Sequence, residues 1–440
     1  FMSKIITLKS HKCKSLTGKI MVPGDKSISH RALIFSAISI GRSEIDGLLE
    51  SDDVIKTLKA LRNLGIKIVK IGEKYFVDGN GGIFTKNPGN LFFGNSGTGA
   101  RLMIGLLATK NIALTITGDK SLSQRPMLRV LDPLTEMGAN FSKNDGKLPI
   151  KILESFYYNS IKFKSKIGSA QIKSSILLAA SNIKGVTEIE EEIPSRDHSE
   201  IMLKYLGAKI LTKKTKNSKL IKLNGPCVLK CNKINVPGDF SSAAFLIIAT
   251  LLTKDSNLTI ESVGLNYFRT GLLDVLSKMN AKIKISEKSI CNGEAFGNIE
   301  VYSSNLIATK IDKKISARLI DEYPILFVAC SFACGVSELT GLEELKFKES
   351  DRLSAMTEAL TKCGVKLEKK KNSLLIYGNK KQLGGCKIRT YNDHRIAMSM
   401  LIFGMISEKP VSIDDMSMIA TSFPNFRSLM ESIGAKLQVV

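Results

Sequence analysis

Apolar residues return along this chain in two alternating patterns, and each predicts a different kind of helix. The first pattern is amphipathic. It reads "LKALRNLGIKI" at 58–68, "LDPLTEMGANF" at 131–141 and "IMLKYLGAKI" at 201–210. It returns as "LLDVLSKMNAKI" at 272–283, "MTEALTKCGVKL" at 356–367 and "SLMESIGAKL" at 428–437. Leucines recur at helical spacing, so one face of each helix is buried. Each copy closes on Gly65, Gly138, Gly207, Asn280, Gly364 or Gly434, residue types that suit the left-handed position ending a helix. An alternating strand follows. The closing residues lie about 70 to 84 positions apart, too long a period for a solenoid, which predicts six copies of one α+β unit.

The second pattern interleaves with the first. A polar turn opens a helix that is apolar nearly all round, and such helices are buried. The copies are "GDKSISHRALIFSA" (24–37), "GNSGTGARLMIGLLA" (94–108) and "SAQIKSSILLAA" (169–180). "PGDFSSAAFLIIATLL" (237–252), "DEYPILFVACSFA" (321–333) and "NDHRIAMSMLIFG" (392–404) follow. First-turn N–H groups lack helical partners and carry the positive end of the dipole. An ordinary N-cap explains any single opener. Six openers, four with Lys or Arg inside the turn or nearby, point instead to an anion site built from helix N-termini. "VPGD" occurs at 22–25 and again at 236–239, each time followed by Ser and an apolar helix. This predicts two similar lobes of three units: 1–22 with 238–440, discontinuous, and 23–237. The N-terminal strand then belongs with the C-terminal lobe.

Composition narrows the class. The chain has 440 residues, 43% apolar and 24% charged, enough for two soluble domains. The formal net charge is +23. Lysine scattered over solvated faces explains most of it, and a basic field attracting anions is the sharper alternative. Eight cysteines form no CxxC and no zinc-type spacing, which fits a reducing cytoplasm. Cys330 and Cys334 are expected to pack as small hydrophobes. The start, "FMSKIITLKS", has no signal-peptide core, and the longest apolar run, 243–252, is too short for a bilayer. Neither GxxxxGK[ST], GxGxxG nor GxSxG is present, which argues against a nucleotide P-loop, a Rossmann site and a hydrolase elbow.

The chemistry-bearing stretches hold Lys26, Ser27, Arg31, Arg101, Arg125, Ser169, Gln171, Arg196, Asp321, Glu349, Arg352, His394 and Arg395. Cations dominate, and guanidinium forks match phosphate and carboxylate. The set fits a substrate with several negative charges, with Asp321 and Glu349 able to move protons. Each member also has a plainer reading. Arg125 before Pro126 could be a surface turn residue, and "KESDR" (348–352) a capped helix start with local ion pairs. His30 is read as packing or capping, and His198 as a satisfied turn histidine.

In order along the chain, "PGDKSISHRALIFSA", "GNSGTGARLM", "GDKSLSQRPM", "SAQIKSSILLA", "SRDHSEIML", "DEYPI", "KESDRL" and "NDHRIAM" resemble the enolpyruvyl transferase family, in particular its 5-enolpyruvylshikimate-3-phosphate synthase (3-phosphoshikimate 1-carboxyvinyltransferase) branch. The resemblance covers essentially the whole chain. It implies a two-lobed α/β fold of six βαβαββ units, three per lobe, with buried helices pointing at an interlobe cleft that closes on the substrates. It implies transfer of the enolpyruvyl group of phosphoenolpyruvate to the 5-hydroxyl of shikimate 3-phosphate, through a non-covalent tetrahedral intermediate and with loss of phosphate. No metal or organic cofactor is implied. By the same resemblance Lys26 is shared between the substrates. Ser27, Arg31, Ser169, Ala170, Gln171, Arg196, Asp321 and Lys348 hold shikimate 3-phosphate. Gly97, Arg125, Gln171, Arg352 and Arg395 hold phosphoenolpyruvate. Asp321 acts as base and Glu349 as acid. The expected partners are these small anions, with no specific nucleic acid, no membrane and a monomeric, cytoplasmic enzyme. One departure stands out. Thr421 in "ATSFP" occupies a position where many members carry lysine, as in the branch linked with glyphosate tolerance, whereas Gly97 keeps the small residue that leaves room for glyphosate. The sister transferase acting on UDP-N-acetylglucosamine would need a "KN" pair and a loop cysteine. This chain has Lys26-Ser27 and no cysteine in "GDKSLSQRPM". A nucleic-acid binder would explain the charge, but aromatics are 6% and Trp is absent.

Overall fold

The computed structural model describes residues 6–142, 145–370 and 373–440. The chain divides into two compact units. Unit 1 is Phe1–Pro23, Pro237–Ser289 and Ala295–Val440, and unit 2 is Gly24–Val236 with Ile290–Glu294. Each unit has its own apolar core.

Both units are built from one repeated plan. Among the described residues there are six four-stranded sheets. In the sheet containing Lys162–Ser165, that strand runs parallel to Gly185–Glu191, joined to it through the buried helix Ala170–Ala180. The amphipathic helix His198–Tyr205 then leads into the antiparallel pair Ile210–Lys214 and Lys219–Gly225. The fourth strand inserts beside the second, giving the spatial order first, second, fourth, third. Parallel neighbours need a crossover, and the apolar helix supplies it.

The closing residues are left-handed as the sequence predicts: Gly65 (φ 97°), Gly138 (96°), Gly207 (96°), Asn280 (65°), Gly364 (88°) and Gly434 (113°). Asparagine is the non-glycine residue best suited to that conformation. The six apolar helices are Lys26–Ile38, Gly97–Leu107, Ala170–Ala180, Phe240–Leu252, Tyr323–Phe332 and His394–Ile406. Three pack together inside each unit. Gly105 marks one crossing. A Cβ there would lie 2.5 Å from the backbone of Ser175, so the Gly97 and Ala170 helices meet main chain to main chain.

The N-terminal strand Leu8–His11 lies between Val411–Ile413 and Lys436–Val439, and Thr17–Met21 pairs parallel to Asn257–Gly264. Both sheets belong to unit 1, so its first strands come from the opposite end of the chain. Cys330 is buried as expected. Cys334 is exposed, because the helix ends at Phe332 and the chain has already turned toward the next strand. Among the described residues no helix is long and apolar enough to cross a membrane.

Candidate active site

Five of the six buried helices are capped by their own side chains. Asp25 accepts from Ile28 N, Asp239 from Ser241 N and Asp393 from Arg395 N. Ser96 accepts from Gly99 N and Ser169 from Ile172 N. The plain N-cap explanation is therefore correct for these openers, yet it does not end the argument. An aspartate cap answers the helix dipole with a full negative charge. A serine cap leaves the positive end uncompensated. The Gly97 and Ala170 helices of unit 2 thus remain electropositive at their N-termini.

Around those two ends unit 2 gathers guanidinium groups. Arg101 donates from Nη1 to Gln171 Oε1 at 2.7 Å and from Nη2 to the carbonyl of Pro126 at 3.1 Å. Gln171 passes the bond on from Nε2 to Thr98 Oγ1 at 2.9 Å, which fixes its amide. Arg125 is buried and donates to Asn95 Oδ1, so it is no surface turn residue. Both guanidiniums crowd Gly97: a Cβ there would lie 2.9 Å from Arg125 Nη1 and 3.0 Å from Arg101 Nη1. Glycine at 97 is what lets two cations reach the helix end.

On the Lys26 helix, Lys26 Nζ lies 3.0 Å from Asp53 Oδ2, and Ser27 is half-buried. Arg31 is buried. It donates to Ser199 Oγ at 2.8 Å, Ser174 Oγ at 2.7 Å and the carbonyl of Ser27 at 2.9 Å. Burial pushes its pKa down to about 10, a value that still leaves it charged. His30 is buried with Nδ1 2.8 Å from Thr57 Oγ1. Burial, then Lys26 and Arg31, hold its pKa well below the ordinary value, so it packs as a neutral ring. Arg196 and Ala170 are half-buried. His198 opens its own short helix, buried, with Nδ1 2.6 Å from Glu294 Oε1.

Unit 1 centres on Arg352, which is 1% exposed and meets three carboxylates. Nε donates to Asp393 Oδ2 at 2.9 Å, Nη1 to Asp321 Oδ1 at 3.2 Å, and Nη2 to Glu349. Burial acts against its charge, but Asp393, Glu349 and Asp321 outweigh that and raise its pKa. Arg395 donates from Nη1 to the carbonyl of Asp321 at 3.0 Å, and its Nη2 lies 3.9 Å from Asp321 Oδ2. Lys348, half-buried, precedes Glu349 at the end of the 3-10 turn Glu343–Phe347. "KESDR" is a capped start after all, with Asp351 accepting from Ser354 N, and it is also where Arg352 and Glu349 join distant partners. His394 Nδ1 lies 3.3 Å from Thr421 Oγ1.

The structure thus brings Lys26, Ser27, Arg31, Gly97, Arg125, Ser169, Ala170, Gln171 and Arg196 into unit 2, and Asp321, Lys348, Glu349, Arg352 and Arg395 into unit 1. Sequence reasoning missed Asp393. Its Oδ2 takes Arg352 Nε and Ser350 Oγ, while its Oδ1 takes the backbone N–H of Arg395, so one buried carboxylate ties both arginines together. It also missed Lys173, although a lysine inside an apolar helix is the signal that a carboxylate must lie nearby. Among the described residues no cluster of three or more His, Cys, Asp or Glu is placed to hold a metal ion.

Comparison with known proteins agrees along the whole chain. The family model described as EPSP synthase (3-phosphoshikimate 1-carboxyvinyltransferase) matches residues 10–430. The 3-phosphoshikimate 1-carboxyvinyltransferase of Bartonella quintana is 44% identical, over 99% of this chain and 100% of that protein. The enzyme of the same name from Acidiphilium cryptum is 45% identical, over 96% of each. The solved structure of EPSP synthase from Acinetobacter baumannii superimposes with a TM-score of 0.87 at 35% identity, covering 99% of this chain and 100% of that one. The enolpyruvyl transferase NikO from Streptomyces tendae, at 15% identity and TM-score 0.78, shares the fold. Sequence, sheet plan and relatives converge, and the chain belongs to the EPSP synthase (3-phosphoshikimate 1-carboxyvinyltransferase) family.

Proposed function

We propose that this chain transfers the enolpyruvyl group of phosphoenolpyruvate to shikimate 3-phosphate, with anion binding concentrated on unit 2 and proton transfer on unit 1. It is a transferase of the shikimate pathway, which leads through chorismate to aromatic amino acids. The observation that carries the division of labour is the contrast in what holds the arginines. In unit 2 Arg31, Arg101 and Arg125 donate to hydroxyl, amide and carbonyl oxygens. Neutral acceptors such as these position a guanidinium without themselves cancelling its charge. In unit 1 Arg352 is surrounded by carboxylates, two of which are the proposed acid and base.

Under this reading Ser27, Arg31, Ser169, Ala170, Gln171, Arg196, Asp321 and Lys348 hold shikimate 3-phosphate. Gly97, Arg125, Gln171, Arg352 and Arg395 hold phosphoenolpyruvate, and Lys26 touches both. Asp321 takes the proton of the 5-hydroxyl as its oxygen attacks C2 of phosphoenolpyruvate. Glu349 delivers a proton to the C3 methylene, giving a tetrahedral intermediate. Glu349 then removes a methyl proton, the C2–O bond to phosphate breaks, and the enolpyruvyl ether remains. Arg352 joins the two carboxylates: Asp321 and Glu349 both accept from its guanidinium. Two anionic substrates repel each other, and fixed cations offset that repulsion before chemistry begins. The enzyme works as a monomer in the cytoplasm.

The test is phosphate release from phosphoenolpyruvate, with and without shikimate 3-phosphate, for wild type and Lys26→Ala. Release that requires shikimate 3-phosphate and collapses in the variant supports the reading. Release that ignores shikimate 3-phosphate overturns it.

A further inference from the structure

Behind Arg196 lies a buried ionic network that the proposed reaction does not use. Lys173, on the apolar helix Ala170–Ala180, is 2% exposed. Its ammonium has three acceptors: Glu191 Oε2 at 2.9 Å, Glu200 Oε1 at 2.9 Å and the carbonyl of Ser195 at 3.3 Å. Burial works against the cation, but Glu200 and Glu191 outweigh it, so Lys173 stays charged. Glu191 also grips Ser195, taking its hydroxyl at Oε1 and its backbone N–H at Oε2. On the other side of Arg196, Asp197 Oδ2 lies 3.2 Å from Lys219 Nζ, and Lys219 returns to Glu200 Oε1 at 3.3 Å. Residues 195 and 197 are therefore both pinned to one network, while the side chain of 196 between them is half-buried. One position after Lys173 and one before Glu200, Ser174 and Ser199 hydrogen-bond each other at 2.7 Å and both accept from Arg31. The same helix pair thus holds Arg31 by one rung and the Arg196 segment by the next.

Such a network is costly to bury and adds little stability over an apolar replacement, so its residues are better explained by what they orient. We propose that Lys173, Glu191 and Glu200 are positioning residues that fix the backbone on both sides of Arg196, and through it the grip on the acceptor's phosphate. The inference rests on the reading of Arg196 as a contact of shikimate 3-phosphate.

The experiment is steady-state kinetics of Glu191→Gln, Arg196→Ala and the double variant, with Ser195→Ala in parallel as a milder break of the same clamp. Glu191→Gln is expected to raise KM for shikimate 3-phosphate about tenfold, the scale of one charge-assisted hydrogen bond. KM for phosphoenolpyruvate and kcat should hold. In the Arg196→Ala background the same change should add almost nothing, because the group it positions is gone. Equal penalties in both backgrounds, or a fall in kcat with both KM values moving, would show a merely structural network and overturn the proposal. If Glu191→Gln does not fold, the Ser195→Ala cycle decides by the same criterion. An active enzyme whose Arg196→Ala variant keeps its KM for shikimate 3-phosphate removes the basis of the inference but not the proposed reaction. A wild type with no such activity removes both.

Discussion

Unit 2 and unit 1 follow one sheet plan, yet they treat their arginines in opposite ways. Unit 2 supports Arg31, Arg101 and Arg125 with serine hydroxyls, amide oxygens and backbone carbonyls. Unit 1 surrounds Arg352 with Asp321, Glu349 and Asp393. A neutral acceptor fixes a guanidinium without cancelling its charge. A carboxylate fixes it more strongly and cancels it. The first arrangement suits holding an anion, and the second suits carboxylates that must change protonation during a reaction. The helix caps follow the contrast only in part: serine at the Gly97 and Ala170 helices but aspartate at the Lys26 helix of unit 2, and aspartate at the Phe240 and His394 helices of unit 1.

The sharpest way to break this comparison is Arg352→Ala. It removes the guanidinium that three carboxylates share, and removing one member of a buried ionic cluster costs about 3–5 kcal/mol. Catalytic efficiency should fall by about 10³-fold or more. Thermal melting together with phosphate release checks both, and a variant of normal stability would show that the carboxylates are not held by this residue. Next come Asp321→Asn and Glu349→Gln. Each should lower kcat by about 10²–10⁴-fold, the range for general acid–base groups, while KM for phosphoenolpyruvate holds. A drop in kcat below tenfold would assign the proton transfers elsewhere.

Gly97→Ala probes unit 2. Its added methyl would meet Arg125 and Arg101 at about 3 Å. The flexible guanidiniums can withdraw, so folding is expected to survive while KM for phosphoenolpyruvate rises about 10- to 200-fold, the scale of one misplaced methyl. An unchanged KM would place that substrate away from this helix end. The smallest effect concerns His30, buried beside Lys26 and Arg31. Its folded pKa lies well below the ordinary 6.5, so the unfolded chain binds the extra proton. The neutral ring's stability is complete above pH 6.5 and is lost as pH falls below it, with a slope of up to about 1.4 kcal/mol per pH unit. His30→Gln does not titrate. Urea unfolding at pH 7.5 and 5.5 should therefore show the gap between wild type and variant narrowing at the lower pH. A constant gap would mean that neither burial nor the neighbouring Lys26 and Arg31 lower this ring's pKa.

Much of the fold was legible because it is written in local terms. A left-handed terminus needs Gly or Asn, and a buried helix needs apolar residues all round, so Gly65 through Gly434 and the six openers mark the units directly. The site was legible as a list of residue types and not as a set of pairs. Arg352 finds Asp393 across 41 positions and Arg31 finds Ser199 across 168, and no periodicity encodes such distances. Asp393 stood in plain view in "NDHR" as a cap, but nothing local says that a cap also clamps an arginine. Arg125 also admitted a surface-turn reading because Pro126 follows it, and its burial removes that alternative. The resemblance supplied roles for single residues. Their supporting partners, Lys173 and Glu191 among them, came only with coordinates.

The strand Leu8–His11 lies between two strands from the far end of unit 1. This places a waiting time in the life of each newly made chain. Residues 24–236 can close around their own core while the ribosome is still working. The sheet that needs residues 436–439 cannot close until about 200 more residues have been added, roughly 10–40 seconds at ordinary elongation rates. For that interval the first strand, Leu8–His11, is held without its sheet neighbours, with backbone donors and acceptors open to any strand that passes. Unit 1 is the part of the nascent chain most exposed to wrong pairing, and its last few residues end that exposure.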